Sequence, residues 1–215
     1  LRERGVAVVR CVTSDAHAGL RRAIEEVFPG TAWQRCVVHL ERNVCALARN
    51  RRERALLGSV MRTVFAESDP ALVRELYHLA VDEIGAVSAA AGALLEEAEA
   101  DALAYLDFPP AHHRRLRTNN VQERMNREIK RRANVVQVFP SRKSLIRLLG
   151  AVLSEMDEDW AARRWFTEES ISEVFEDRRR WRPGRPPAYE GTAAEHAARI
   201  IAVVMADGGA VRKAA

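Results

Sequence analysis

Cysteine is scarce in this 215-residue chain. Three thiols, Cys11, Cys36 and Cys45, are an odd number in a chain long enough to bury its own core, which excludes a disulfide scaffold and points to reduced side chains. Aromatic residues make up only 6%, but 47% hydrophobic and 30% charged content excludes collagen-like and disordered chains. No window holds eighteen uncharged apolar residues, as a membrane-spanning helix requires. The opening Leu1-Arg2-Glu3-Arg4 leads into neither an apolar signal region nor a small-residue cleavage site. The expectation is a soluble, cytoplasmic protein with no membrane partner. G-x-G-x-x-G, Walker and G-x-S-x-G patterns are also missing, which removes the dinucleotide, nucleoside-triphosphate and hydrolase motifs.

What is present is charge, unevenly distributed. The formal net charge is only +4. From Glu67 to Asp107, however, ten acidic residues face Arg74 alone, whereas Arg114 to Arg132 holds eight basic residues against Glu123 and Glu128. Such a layout suits an anionic partner held on one surface and excluded from another. The plainer reading is a pair of solvated helix faces.

Val6 to Val12 is a β-branched apolar run ending at Thr13-Ser14-Asp15, a buried strand delivering a polar loop. Gly19 allows a turn, and Leu20, Ala23, Ile24, Val27 and Phe28 repeat at helical spacing before Pro29-Gly30. Ala32 to Val38 reads as a second strand. A β-α-β order with a short crossover implies a parallel pair covered by helices, and hence an α/β fold. Leu40 to Leu106 is a helical block with one proline, where Asp69-Pro70 marks a helix start. Thr118 or Asn119 can cap a helix with Val121, Met125 and Ile129 on one stripe. Ser141 can cap another, whose Leu145, Ile146, Leu148, Leu149, Val152, Leu153 and Met156 predict a core helix. The run from Arg178 reads as a basic, proline-rich linker, followed by a short Ala/Ile/Val segment and a polar tail.

Three places could carry chemistry. Asp15 follows a strand end, where parallel sheets present ligand-binding groups, although such aspartates also cap helices. Glu123 shares a helix face with Asn120, Arg127 and Lys130, away from the apolar stripe; its plainer role is an i,i+4 pair with Arg127. Cys36 and His39, three apart, could form half of a zinc site, but Cys45, His112 and His113 offer no matching second half. A buried cysteine beside a hydrogen-bonded histidine is the alternative.

Taken in order, Ser14-Asp15-Ala16-His17-Ala18-Gly19-Leu20, then Trp33-Gln34-Arg35-Cys36-Val37-Val38-His39-Leu40 with Arg42-Asn43, and Thr118-Asn119-Asn120-Val121-Gln122-Glu123-Arg124-Met125-Asn126-Arg127 through Lys130, with Phe139-Pro140-Ser141 beyond, resemble the Mutator-family transposases of bacterial insertion sequences. The likeness runs from Val6 to about Trp165. It implies an RNase H-like (DDE) core in which two Asp and one Glu hold two Mg2+ ions for DNA strand cleavage and transfer. Asp15 then matches the second Asp and Glu123 the Glu, as catalytic and metal-binding residues. Cys36 and His39 match the family's Cys-x-x-His signature, a structural motif, and residues 41–117 match its helical insertion. The first Asp has no counterpart, because Glu3 is the only carboxylate before Asp15. The resemblance therefore implies the C-terminal part of a transposase, inactive by itself. Its parts would be a second portion of the catalytic core over 1–40, the insertion over 41–117, core helices with the catalytic Glu over 118–166, and a basic linker and tail over 167–215.

Beside the site, Arg124, Arg127, Lys130, Arg131 and Arg132 would neutralise DNA phosphates. Element ends and target DNA are the expected partners, with a homo-oligomer in the full-length protein. Two other readings remain open: a catalytically inactive DNA-binding remnant of such an element, and an α/β protein whose basic helix binds an acidic protein.

Overall fold

The computed structural model describes residues 2–6, 8–162, 167–175 and 191–210. After a 3₁₀ turn at Arg2–Arg4 come β1 (Cys11–Ser14), α1 (Ala18–Val27) and β2 (Ala32–Arg35). The two strands pair in parallel, Cys11 opposite Ala32 and Ser14 opposite Arg35. This is the expected β-α-β unit, with shorter strands in different places. Val6 to Arg10 lies ahead of β1, and Val8 is exposed, because four-residue β2 offers no ladder beyond Ala32. Val37 and Val38 belong to a helix instead of β2. The Cys36 amide makes the last sheet-side bond, to Ser14 O at 2.8 Å, and the Val37 amide turns to Arg117 O at 2.9 Å. That contact overrides the β preference of two consecutive valines.

Four helices follow: α2 (Val37–Ala46), α3 (Arg51–Ala66), α4 (Pro70–Val87) and α5 (Ala89–Ala102). Their starts follow capping chemistry. The Asn50 carboxamide accepts from the Arg52 and Glu53 amides, and the Asp69 carboxylate accepts from Ala71 N ahead of Pro70. Leu57, Val60, Val64, Leu76, Tyr77 and Leu95 form the centre of the core. Tyr77 satisfies its buried hydroxyl by donating to Leu95 O at 2.8 Å. At Gly92 a Cβ would stand 2.6 Å from Gly85 Cα, so two glycines let α4 and α5 meet backbone to backbone. Gln34, fully buried on β2, donates to Ala102 O and accepts from Tyr105 N, locking the sheet to the 3₁₀ turn at Ala104–Asp107 after α5.

The chain then runs through α6 (Pro110–Leu116), α7 (Asn120–Val136), α8 (Arg142–Ala162), α9 (Glu168–Phe175) and α10 (Ala193–Ala210). Two expectations fail here. The apolar stripe of α8 predicts a core helix, yet only Val152 of that stripe is buried, and Ile146 and Leu153 are 54% and 41% exposed. Helices α7 and α8 pack as a hairpin, so each has the other as its main neighbour among the described residues, and the outer part of the stripe stays exposed. In contrast, the segment read as a short apolar stretch and polar tail is an eighteen-residue helix, α10, laid on α3 and α4 with Ala197 and Ile201 buried in the main core. The basic, proline-rich run 178–187 lies outside the described residues. Among the described residues, no helix is long and apolar enough to cross a membrane.

Candidate active site and nucleic-acid interface

Asp15 is the first residue past β1, at the carboxyl edge of the parallel pair, and it is exposed. It does not cap α1. His17 takes that role, its Nδ1 accepting from Leu20 N at 3.3 Å, while Asp15 Oδ1 accepts only from the adjacent Ala16 N at 2.8 Å. The carboxylate therefore stands clear of the helix it could have capped. Gly19 is a helical residue in α1, not a turn.

Cys36 is the first residue past β2 and the N-cap of α2, with no side-chain capping bond of its own. Its fully buried thiol donates to Asn119 Oδ1, with sulfur and oxygen 3.0 Å apart. That explains a missing feature of α7: Asn119 sits at the N-cap, but its side chain caps nothing, because it faces the thiol. One turn further along α2, His39 Nε2 lies 3.3 Å from Glu123 Oε1, and Arg42 lies 3.7 Å from the same oxygen. Cys36 and His39, three apart on α2, thus face Asn119 and Glu123, four apart on α7, turn against turn. The contacts of Cys36 and His39 form a clamp between two helix starts. Among the described residues, no group of three or more His, Cys, Asp or Glu side chains is placed to hold a metal ion.

Other bonds fasten the same junction. The Thr13 hydroxyl on β1 donates to Leu116 O, and the Val37 amide donates to Arg117 O. The segment ahead of α7 is thereby stitched to β1 and to the start of α2. Asp15 follows β1 at the carboxyl edge of the sheet, where open α/β folds bind ligands, and Glu123, 108 positions later in the sequence, lies on the helix whose start is stitched to the first residues past β2. Glu123 pairs with His39 and Arg42, not with Arg127.

The basic residues of α7 divide into two sets. Arg131 and Arg132 both bind Glu128, at 2.6 and 2.8 Å, and Arg132 also reaches Glu155 on α8 at 3.1 Å. The guanidinium groups of Arg131 and Arg132 hold the Glu128 carboxyl far below its usual range, at about 2. Arg124, Arg127 and Lys130 have no ion pair among the described residues and keep their full charge toward solvent.

Sequence reasoning missed Asn119 as the thiol's partner and Arg42 as a neighbour of Glu123. The available signal was the matched spacing of Cys36-x-x-His39 and Asn119-x-x-x-Glu123. It was hidden because Val37 and Val38 were assigned to a strand, which sends alternate side chains to opposite faces.

The arrangement is that of the α/β class: a parallel strand pair with an acidic residue at its carboxyl edge, a helical block, and a basic helix carrying a second acidic residue. The comparison with known proteins makes the class specific. Residues 1–163 match the family described as "Transposase, Mutator family", and the chain belongs to that family. It is 40% identical over 157 residues to the transposase for insertion sequence element IS1081 of Mycobacterium tuberculosis, covering 73% of this chain and 38% of that protein. It is 37% identical over 157 residues to the transposase for IS406 of Burkholderia multivorans, covering 73% and 40%. It is 35% identical over 164 residues to the transposase for IS256 in transposon Tn4001 of Staphylococcus aureus, covering 74% and 41%. The chain thus spans about two-fifths of the length of these relatives.

Proposed function

We infer that this chain is part of a transposase that cuts and joins DNA strands in the movement of an insertion sequence element, with Asp15 and Glu123 as two of its catalytic carboxylates. The observation that carries the reading is the clamp. Cys36 and His39 bring the helix bearing Glu123 to the edge of the sheet from which Asp15 emerges, and the chain's family membership supports reading that edge as a place for strand chemistry. The parallel pair and its crossover then form part of an RNase H-like core, residues 41–117 its helical insertion and residues 118–166 its C-terminal helices.

In-line displacement at a phosphodiester is served by two divalent ions about 3.5 to 4 Å apart, and Mg2+ draws on carboxylate oxygens and water. Asp15 and Glu123 suit half of such a site. The donor set among the described residues does not suit a whole one, because no third ligand joins them. Residues 1–215 therefore supply positioned carboxylates and phosphate contacts, and a third carboxylate on another strand completes the centre. His39 and Arg42 hold Glu123 in place, and the Arg42 guanidinium offsets part of its charge. Arg124, Arg127 and Lys130 meet the DNA backbone directly, and Arg131 and Arg132 do so while bound to Glu128. Full-length copies assemble as a homo-oligomer on the two element ends.

The test is DNA strand joining in Mg2+ and in Mn2+, by the 215-residue chain and by a version extended at its amino end with the region that supplies the third carboxylate. Joining is expected only in the extended protein, and is lost in Asp15→Ala and in Glu123→Ala. Metal-dependent joining by the 215-residue chain, or joining that survives either substitution, overturns the assignment.

A further inference from the structure

Between α2 and α3 lies an open groove of about 470 Å3 whose walls carry Arg42, Arg51, Arg54 and Arg62 against the single carboxylate of Glu41. Arg51, Arg54, Gly58 and Arg62 recur at intervals of three and four and so share one face of α3, opposite the buried Leu57, Val60 and Val64. Arg62 reaches Glu41 Oε1 at 3.3 Å, and Arg54 donates to Cys45 O at 3.2 Å. Side chains of Arg42 and Arg62 are 61% and 65% exposed, so these charges stay available. Gly58 lines the groove. A Cβ there would stand 3.0 Å from the Arg62 guanidinium and 3.4 Å from Cys45 Sγ, on the floor of the cleft. Glycine in the middle of a helix is otherwise unfavourable, so its place here calls for a reason other than helix stability. Burial and the nearby Glu41 push the Cys45 thiol above its usual pKa, which leaves that wall uncharged at neutral pH.

The geometry points to this groove as a second DNA contact, separate from α7, that grips consecutive phosphates of the strand running toward Glu123; it rests on the transposase reading above. Arg42 joins the two places, lining the groove and lying 3.7 Å from Glu123 Oε1. From Arg51 to Arg62 the helix rises about 16 Å at about 1.5 Å per residue. That is the axial length of about five nucleotides of a B-form strand at about 3.4 Å each. Guanidinium groups spaced along one helix face bind phosphate oxygens without reading bases, so the contact is independent of sequence and sensitive to salt.

Binding of a fluorescent 20-base-pair duplex to the 215-residue chain tests the groove. The combined Arg51→Gln, Arg54→Gln and Arg62→Gln variant is expected to bind at least about tenfold more weakly at moderate salt, with the slope of log affinity against log salt shallower by about 2 to 3. Gly58→Leu, which leaves every charge in place, should weaken binding while the melting temperature stays within a few degrees. In a Cys11→Ser background the duplex should slow maleimide labelling of Cys45. Duplex binding that matches the parent in both groove variants, and is lost only in Arg124→Gln, Arg127→Gln and Lys130→Gln, overturns the groove and leaves the transposase reading standing. No duplex binding by the parent chain overturns that reading and the groove with it. Polyglutamate of equal charge bound as tightly as DNA, and released by the same groove variants, assigns the groove to an acidic protein and overturns the proposal.

Discussion

The helical block and the α7–α8 hairpin use similar residues to opposite ends. In the block, Leu57, Leu76 and Leu95 are sealed between α3, α4, α5 and α10, while Asp82, Glu96 and Glu97 face outward. In the hairpin, no residue of α7 is buried, Ile146 and Leu153 stay exposed, Glu128 binds Arg131 and Arg132 along α7, and Glu155 of α8 reaches Arg132 across the two helices. Apolar periodicity identifies a face that will be covered, but it does not say that this stretch of chain provides the cover. The block supplies its own; the hairpin leaves part of its stripe exposed among the described residues and is tied locally by charge.

Core truncation separates the two regions most strongly. Leu76→Ala should cost about 2 to 5 kcal/mol in denaturant unfolding, whereas Leu153→Ala should cost less than about 1. Equal losses would break the comparison. A smaller but still large effect is expected at the α4–α5 contact. Gly92→Ala places a methyl against Gly85 Cα and should cost about 1 to 3 kcal/mol despite the better helix propensity of alanine; a raised melting temperature would show the close approach to be dispensable.

Acid should act on the two regions in different windows. In the block, burial holds the His113 ring below its usual pKa of 6.5, with Arg117 and His112 adding to the effect against the bond to Phe108 O. The unfolded chain then binds the extra proton. This contribution is full above pH 6.5 and is lost as the pH falls through the lowered folded value. Melting temperature should therefore drop as the pH falls below 6.5, and His113→Gln should flatten the drop. Glu128 has the same sign at lower pH: its support for the hairpin is present above 4.5 and disappears toward about 2. The smallest effect expected is on Glu128→Gln at neutral pH, because exposed pairs yield little and are screened by salt. Hydrogen exchange of α7 amides should quicken slightly at low ionic strength and not at all at high; an effect as large as that of Leu76→Ala would place the hairpin's stability in its charges.

Much of this fold is legible in the residues. Asp69-Pro70 marks the start of α4, the β-α-β order predicts the parallel pair, and the motif order resembles the family to which residues 1–163 belong. What is hidden is decided by distant partners. Val37 and Val38 are strand formers by propensity, but the carbonyl of Arg117 and the carboxamide of Asn119 meet the chain there and turn it into a helix. Helix α10 is hidden for the same reason: Ala197 and Ile201 are unremarkable until α3 and α4 give them a surface. Asp15 and Glu123 stand out by type and position, but the His39 and Arg42 contacts to Glu123 come from a helix that local pattern assigns in part to a strand.

The bond from Val37 N to Arg117 O, 2.9 Å long, closes everything between them into a loop whose mouth is held shut. Seen this way, the helical block is a loop hung from one fastening, and doubling the length of such a closed loop costs only about 0.6 kcal/mol. Its far end is free to vary, but its near end is not: Gln34 on β2 is held by Ala102 O and Tyr105 N, so the sheet that presents Asp15 leans on the turn after α5. An insertion at the α3–α4 turn, remote from that contact, should therefore leave the clamp between α2 and α7 in register.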